Sequence, residues 1–527
     1  MSKFLENMMS YDTITENGAV SHSTTGKFSL DYFSKAGTYR NRTEEEVFAD
    51  ISKVYSESPE LALRIMLYLR NITRKQKGFF ESDTVQKGQG IKDEFIKLVK
   101  WFEIYHSEDL YNNLWLIPLT GTWKDLWYDS AYSGYYHYVN EKFVFPLIKK
   151  GLSDEYNRGL LAKYLPRIRS KSNVKNGRHR RLNRFAKNLI EYLEWSEKDY
   201  RKFKSDPENQ AHLFQRYMSK NYWDKIDFNT IPGKALFKLI NNKGRDGKTA
   251  FQRHNVEENF IEWVKNQPTV KFTGYIYELL RSLYTNNSLI NRITIDKQFE
   301  GLLKLAEKSI EGNVLVALDT SGSMGSIISN TNISAYDICI SLGIYFSSLN
   351  TGAFKDTVVM FDNVSRTMKL GGTFSQKVDQ IKSSSIAWGS TNFQSVIDEI
   401  VRVRKSKPEI PVEEYPETLI VVSDMQFNPA GDDKTNYEQA MKKLSDAGLN
   451  KMNIIWWYVH GRSEEFPNKF DDEGVTIISG FDPLVITTLL GRETEIVDKT
   501  TKKVRKLNPY ENMIKTLDQD YLNQIKL

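Results

Sequence analysis

The sequence predicts a multidomain α plus α/β protein. An all-helical region spans residues 1–310, a doubly wound parallel sheet 311–495, and a helical tail, 496–527, packs back on the chain. Three observations predict this. A chain of 527 residues exceeds what one hydrophobic core organises. Up to residue 310, apolar residues recur at three-and-four spacing with almost no strand signal. Beyond it, short apolar runs alternate with helical patterns, as parallel crossovers require.

The helical periods fall at 44–56, 59–73, 92–105, 108–115, 138–150, 154–165, 179–194, 210–220, 234–239, 256–265 and 275–283. Short amphipathic helices joined by polar turns suit an α-solenoid of helix pairs, although no fixed-period repeat is present.

The second half opens on the apolar strand Asn313-Val-Leu-Val-Ala-Leu318, which runs into Asp319-Thr-Ser321-Gly-Ser323-Met324. A helix follows over 333–349, a strand over 357–361 and a helix over 394–404. The strand Thr418-Leu-Ile-Val-Val-Ser423 ends on Asp424; a helix over 437–447, closed by Gly448, leads to strands over 453–459 and 475–478, and Pro483 begins a further helix.

Three turns at strand ends or in Gly/Ser loops carry hard oxygen donors: Asp319, Ser321 and Ser323; Thr391 in Gly389-Ser-Thr-Asn392; and Asp424. In open parallel α/β sheets ligands bind outside the carboxyl ends of strands, so these turns can meet around one ion. Hydroxyls and carboxylates without imidazole or thiolate suit Mg²⁺ or Mn²⁺ rather than Zn²⁺. The set resembles the metal-ion-dependent adhesion site of von Willebrand factor A domains, whose Asp-x-Ser-x-Ser, Thr and Asp pattern is matched without substitution. That resemblance implies direct or water-mediated contacts from Ser321, Ser323 and Thr391, carboxylate support from Asp319 and Asp424, and one position open to an acidic group of a protein partner.

Composition excludes other classes. Hydrophobic residues make up 40% and aromatics 13%, enough for large cores, and no run nears the roughly 20 apolar residues of a membrane helix. The start Met1-Ser-Lys-Phe-Leu-Glu-Asn7 does not read as a secretory signal. Cys339 is the single cysteine; it falls in a helical pattern, consistent with a buried inert thiol and a reducing compartment. A cytoplasmic location is expected, or a virion-associated one if the chain is phage-encoded.

A net charge of +6 over the chain is ordinary, but its distribution is not. Between Lys163 and Lys187 stand Lys163, Arg167, Arg169, Lys171, Lys175, Arg178, Arg180, Arg181, Arg184 and Lys187, with no Asp or Glu. Such density favours a polyanion through counterion release, and Tyr164, His179 and Phe185 interleave rings that single-stranded nucleic acid can stack on. A second basic loop carries Lys243, Arg245 and Lys248, followed by Arg253 and His254. Its Gly247-Lys-Thr249 is no phosphate loop: Asn242 stands where a glycine is required, and a helix rather than a strand precedes it.

An all-helical half followed by an A domain is similar to the Ro ribonucleoprotein family, whose TROVE module is a ring of HEAT-like helices. The segments Ser29-Leu-Asp-Tyr-Phe-Ser-Lys-Ala-Gly37, Ala62-Leu-Arg-Ile-Met-Leu-Tyr-Leu-Arg70 followed by Gly78, Ile117-Pro-Leu-Thr-Gly-Thr-Trp-Lys-Asp-Leu126, Lys163-Tyr-Leu-Pro-Arg167, Ile231-Pro-Gly-Lys-Ala235, Ser479-Gly-Phe-Asp482 and Asn508-Pro-Tyr-Glu-Asn-Met-Ile514 resemble more closely an uncharacterised family of plant, bacterial and phage proteins with the same plan. The resemblance implies RNA binding, of single-stranded ends in a basic channel and of small structured RNAs outside it.

No catalytic constellation stands out. The seven histidines are scattered, no Gly-x-Ser-x-Gly occurs, and no base accompanies the hydroxyl-rich turns. A non-enzymatic protein is expected. Two readings stand: an RNA-binding scaffold with a Mg²⁺ site, and a metal-dependent protein-interaction module, such as a phage structural component or assembly factor, without nucleic acid.

Overall fold

A computed structural model describes residues 13–527 apart from 73, 76–84, 87, 128–139, 174–175, 207–213, 273, 307–311, 329–330, 385–387, 462–463, 483–484, 486–494 and 498–503. The chain divides into two compact units, Met1–Asn41 with Pro232–Leu517, and Arg42–Ile231 with Asp518–Leu527. By element type the change falls elsewhere: helices run up to Leu305, and the central sheet begins at Val314.

That sheet has six strands, β1 (Val314–Asp319), β2 (Thr357–Phe361), β3 (Ser365–Lys369), β4 (Thr418–Ser423), β5 (Asn453–Tyr458) and β6 (Val475–Ser479), in the order β6-β5-β4-β1-β2-β3. Every pairing is parallel except that of β2 with β3. This is the doubly wound parallel sheet that the sequence predicts, with β3 added as an antiparallel edge strand. Its residues Ser-Arg-Thr-Met-Lys are half exposed, which suits an edge strand only partly covered by the helix at Ser395, to whose carbonyl Ser365 Oγ donates at 3.0 Å, and leaves no apolar signal. By contrast β1 and β4 are buried at all six positions, because helices cover both faces of a parallel sheet.

On one face lies the helix Ala335–Leu349, started by a capping box between Ser334 and Asp337. Gly343 lets it approach β1 so closely that a methyl there would collide with Leu318, and Phe346 packs 4.9 Å from Trp457. Helices Ile276–Thr285 and Leu289–Leu305 belong to this unit as well, with the Tyr345 hydroxyl donating to the Leu302 carbonyl at 3.4 Å. On the other face, Gln394–Ser406 and Asn436–Asp446 pack on Ala317, Val421 and Trp456, with Phe393 5.0 Å from Trp456. A hairpin of Thr13–Ile14 with Val20–Ser21 contributes Ala19 to this core. Helix Phe28–Ala36 ends at Gly37, whose N–H donates to Ser479 Oγ at 3.0 Å.

The other unit holds helices Glu44–Glu57, Pro59–Arg70, Asp93–Tyr105, Ser107–Asn113, Phe145–Ser153, Glu155–Tyr164, Gly177–Tyr192 and Glu197–Ser205, with Gln215–Ser219 inside the expected 210–220 segment. Arg70, 4% exposed, forks onto one oxygen of the fully buried Asp125 through Nε at 2.9 Å and Nη2 at 2.7 Å. The tail divides. Pro509–Leu517 lies against β6, Asn512 donating to the Val475 carbonyl at 3.0 Å, whereas Lys526 N donates to Asn113 Oδ1 at 2.9 Å in the second unit. The helix expected to begin at Pro483 lies outside the described residues, as do Gly78 and Lys175.

Candidate metal centre and basic groove

Chain order places the hard-oxygen residues at the switch point of the sheet. From β1 the chain first builds β2 on one side and later returns to build β4 on the other, and a crevice opens outside the strand ends where the direction reverses. Asp319 ends β1 and Asp424 follows β4, side by side because Leu318 pairs with Val422. Ser423 Oγ donates to Asp319 Oδ2 at 2.5 Å, and the Ser321 N–H donates to Asp319 Oδ1 at 2.9 Å. Ser323 hydrogen-bonds Asp424, and the Ser321 and Ser323 hydroxyls lie 3.1 Å apart.

Thr391, fully buried, is brought in through its neighbours. The Gly322 N–H donates to the Gly389 carbonyl at 2.9 Å. Thr391 N donates to Asn428 Oδ1 at 3.2 Å, and Asn428 N returns a bond to the Thr391 carbonyl at 2.9 Å. The three turns are thus joined by hydrogen bonds.

The electrostatics leave a charge to be answered. Burial, reinforced by the neighbouring Asp424, pushes the Asp319 carboxyl up to about 7 against the lowering from Ser321 and Ser423. Burial also raises Asp424, opposed by Ser323 and the Gln426 N–H and assisted by Glu16. Among the described residues no Lys or Arg forms an ion pair with either carboxylate. Two adjacent buried carboxylates without a cation are costly. A divalent cation would answer that charge, and neighbouring ligands of an octahedral ion at about 2.1 Å stand about 3 Å apart, close to the separation of the two serine hydroxyls. Among the described residues no three His, Cys, Asp or Glu side chains gather into a metal set; the donors here are two carboxylates and three hydroxyls, which fits Mg²⁺ or Mn²⁺.

Residues that sequence reasoning passes over complete the rim. Asn363 Oδ1 accepts from both N and Oγ of Ser390, at 2.9 and 2.7 Å. Trp388, with a left-handed φ of +52° and 48% exposed, sets its indole 5.0 Å from the Tyr336 ring at a tilt of 49°. A Gly-Ser-Thr turn flanked by an exposed Trp was the available signal. Cys339 lies directly beneath, its thiol donating to the carbonyls of Val422 and Asp319 and raised well above its usual range by burial.

The basic stretch lies in the other unit. Lys163, Arg167, Arg169, Arg178, Arg180, Arg181, Arg184 and Lys187 are all exposed, and Lys171 sits in a short 3-10 turn. Helix Gly177–Tyr192 buries Phe185, Ala186, Leu189 and Ile190 and turns its arginines outward. Phe185 therefore offers no stacking surface, since it packs 5.4 Å from Trp127 and 5.4 Å from Phe145; of the three rings, Tyr164 and His179 reach the groove.

This helix carries basic residues in its first turn and no acid there, opposite to what its dipole prefers, at a cost of about 0.3–1 kcal/mol per charge. Asn183 bridges to both N and O of Arg169, at 3.0 and 2.9 Å, and Tyr200 donates to the Pro166 carbonyl at 2.7 Å. The result is a groove of about 370 Å³ walled by Lys124, Tyr164, Arg167, Arg169, Arg178 and His179.

Lys243, Arg245 and Lys248 are exposed on a loop of the first unit. Arg253 is committed to Asp246, at 2.9 and 3.1 Å, and Thr249 caps the short helix Ala250–Arg253, so this loop has no phosphate-loop architecture.

Residues 313–522, which contain the whole hard-oxygen site, match a domain of unknown function, DUF7788. The chain is 22% identical over 549 residues to an uncharacterized protein, L728, of Acanthamoeba polyphaga mimivirus, covering 97% of this chain and 88% of that one. It is similar to the solved structure of the RO (RSR) protein of Deinococcus radiodurans, with 12% identity and a TM-score of 0.42 over 88% of this chain and 98% of that one.

Proposed function

We propose that this chain is a non-enzymatic RNA-binding scaffold that takes single-stranded or small structured RNA on its basic helical surface and holds Mg²⁺ or Mn²⁺ at the hard-oxygen site. One observation carries the reading: a run of exposed Lys and Arg, free of acidic residues, contributes Arg167, Arg169 and Arg178 to a groove that also presents Tyr164 and His179, and Lys163, Arg180, Arg181, Arg184 and Lys187 stand exposed on the same segment. Clustered cations that raise the folding cost of their own helix are explained by a polyanion that neutralises them. Charges for the backbone and rings for the bases are the combination that single strands use without sequence preference.

The metal site supports the second half of the proposal through its uncompensated buried carboxylates and closely spaced hydroxyls. Mg²⁺ there would be held by Asp319, Ser321, Ser323, Thr391 and Asp424, directly or through water, and would supply a positive centre for a carboxylate. That same geometry favours a second reading, a metal-dependent module that captures an acidic group of a protein partner without RNA. No described helix is long and apolar enough to cross a membrane, and we place the protein in the cytoplasm, or on a virion if phage-encoded.

The test is to purify the chain with and without a high-salt wash and sequence any RNA retained. Salt-sensitive, enriched small or 3′-exposed RNAs are expected. Absence of RNA, with a protein released by EDTA instead, would move the assignment to the second reading.

A further inference from the structure

In the second unit, helices Glu44–Glu57 and Asp93–Tyr105 wall an aromatic cleft of about 490 Å³. Phe48, Ser52 and Tyr55 share one stripe of the first helix, and Trp101 and Tyr105, four apart, share one of the second. Trp101, 3% exposed, is held by a hydrogen bond from Nε1 to Ser52 Oγ at 3.1 Å. Tyr55 lies 5.5 Å from it at 61°, its hydroxyl donating to Asp109 Oδ2 at 2.6 Å and its ring stacked on His106 at 3.6 Å. Tyr105, 59% exposed, stands 5.7 Å from Trp101 and meets the Phe48 ring edge-on at 6.2 Å and 88°. Five rings, positioned by hydrogen bonds and stacking, thus wall a cavity that they do not fill, which is the form of a binding site rather than of a core.

Charge decides what fits there. None of the residues described as lining the cleft is acidic or basic, and none is shared with the basic groove. Around it, however, the helices Glu44–Glu57, Asp93–Tyr105 and Ser107–Asn113 carry ten Asp or Glu against three Lys. Two of those lysines are already paired, Lys97 with Asp93 and Lys100 with Glu44, and the exposed Glu45 stands one turn before Phe48. Such a field repels phosphate, which argues against a nucleotide stacked here. An organic cation suits both features, because ring faces attract it and acidic surroundings draw it in. Burial keeps His106 below its usual titration range against the opposing pull of Asp109, so at neutral pH it adds a ring and not a competing charge. Of the cationic side chains, arginine pairs a flat guanidinium that stacks on rings with N–H donors for hydroxyl oxygens such as those of Ser52 and Tyr55.

We infer that this cleft docks an arginine-bearing segment of a protein partner, the guanidinium seated among Phe48, Trp101 and Tyr105 and the rest of a basic segment lying along the acidic helices. The inference is independent of both the RNA and the metal readings.

The experiment titrates the full chain against a short fluorescein-labelled peptide of alternating Gly and Arg, followed by anisotropy, and against the same peptide with citrulline in place of arginine, which keeps the shape and removes the charge. The arginine peptide is expected to bind at least about tenfold more tightly than the citrulline one. Tyr105→Ala, at an exposed position that the fold does not need, is expected to weaken the arginine peptide about two- to fivefold, the range of an exposed cation–π contact, while Tyr105→Phe binds as wild type does. Equal affinity for the two peptides overturns the inference. Unchanged affinity in Tyr105→Ala overturns it too, since the peptide is then held by surface charge alone. Weakened binding of a labelled single-stranded RNA in Tyr105→Ala, with the arginine peptide unaffected, would make the cleft a base-stacking site instead.

Discussion

Ser423 Oγ donates a 2.5 Å hydrogen bond to Asp319 Oδ2, so the last residue of one central strand clamps the last residue of its neighbour. The same hydroxyl accepts from the Met425 N–H at 2.9 Å, which fixes the turn that carries Asp424. One small side chain thereby sets the separation of both carboxylates.

If Asp319 holds an ion, Ser423 orients its ligand from behind. Loss of such an outer partner typically weakens metal affinity about 10–100-fold. Ser423→Ala is expected to fall in that range by calorimetric titration with Mg²⁺, with the fold retained; an affinity equal to wild type would show that the clamp is structural only.

The raised carboxyl of Asp319 makes the metal response depend on pH. Folded, the group holds its proton up to about 7, whereas its ordinary value is 3.8. Without metal, its contribution to stability is therefore complete below the unfolded value and is lost as pH rises through the folded one. Mg²⁺ requires the ionised form, so its effect grows over the same range. At free Mg²⁺ of about 100 times Kd the gain approaches about 2.7 kcal/mol. Thermal unfolding is expected to show a larger Mg²⁺-induced rise in Tm at about pH 8 than at about pH 5.5, and none at either pH in Asp319→Ala.

Arg70 and Asp125 form a pair with 4% and 0% side-chain exposure, and the Thr122 N–H adds a bond to the same carboxylate oxygen at 2.8 Å. Lys92 reaches the other oxygen of Asp125 only at 3.8 Å, so removing Arg70 takes the close partner from a buried carboxylate, at a cost approaching about 3–5 kcal/mol. Arg70→Met is expected to destabilise by that amount in urea unfolding, while the double change Arg70→Met with Asp125→Leu recovers a large part of it.

Legibility in the sequence followed burial. β1 and β4 are apolar at nearly every position, and β1 ends on Asp319 while Asp424 follows β4, so the strands and the hard-oxygen turns could be read together. Edge strand β3 could not be, because half-exposed Ser365, Arg366 and Thr367 show no apolar alternation. Helix Leu289–Leu305 was hidden for a related reason: part of its buried face is polar, with Asn291, Thr294 and Gln298 inside and Asn291 bonded to Ser282. The hairpin tip at Asn17 meets Thr391 across 374 positions of chain, and two-residue strands give no local period. The basic run was plain in composition, but Phe185 was misjudged as a stacking ring because its helical phase points it inward.

The most direct test of the RNA-scaffold assignment is the salt dependence of binding to a labelled single-stranded RNA, followed by fluorescence anisotropy. Wild type is compared with a variant carrying Arg178→Glu, Arg180→Glu, Arg181→Glu and Arg184→Glu, all at exposed positions and checked for an unchanged circular dichroism spectrum. Each phosphate contact contributes about −0.7 to the slope of log affinity against log salt for a single strand. The assignment predicts a steep slope for wild type, and in the variant a shallower slope by about 2 or more with affinity reduced at least about 100-fold. Equal affinity and equal slope in the two proteins would contradict it.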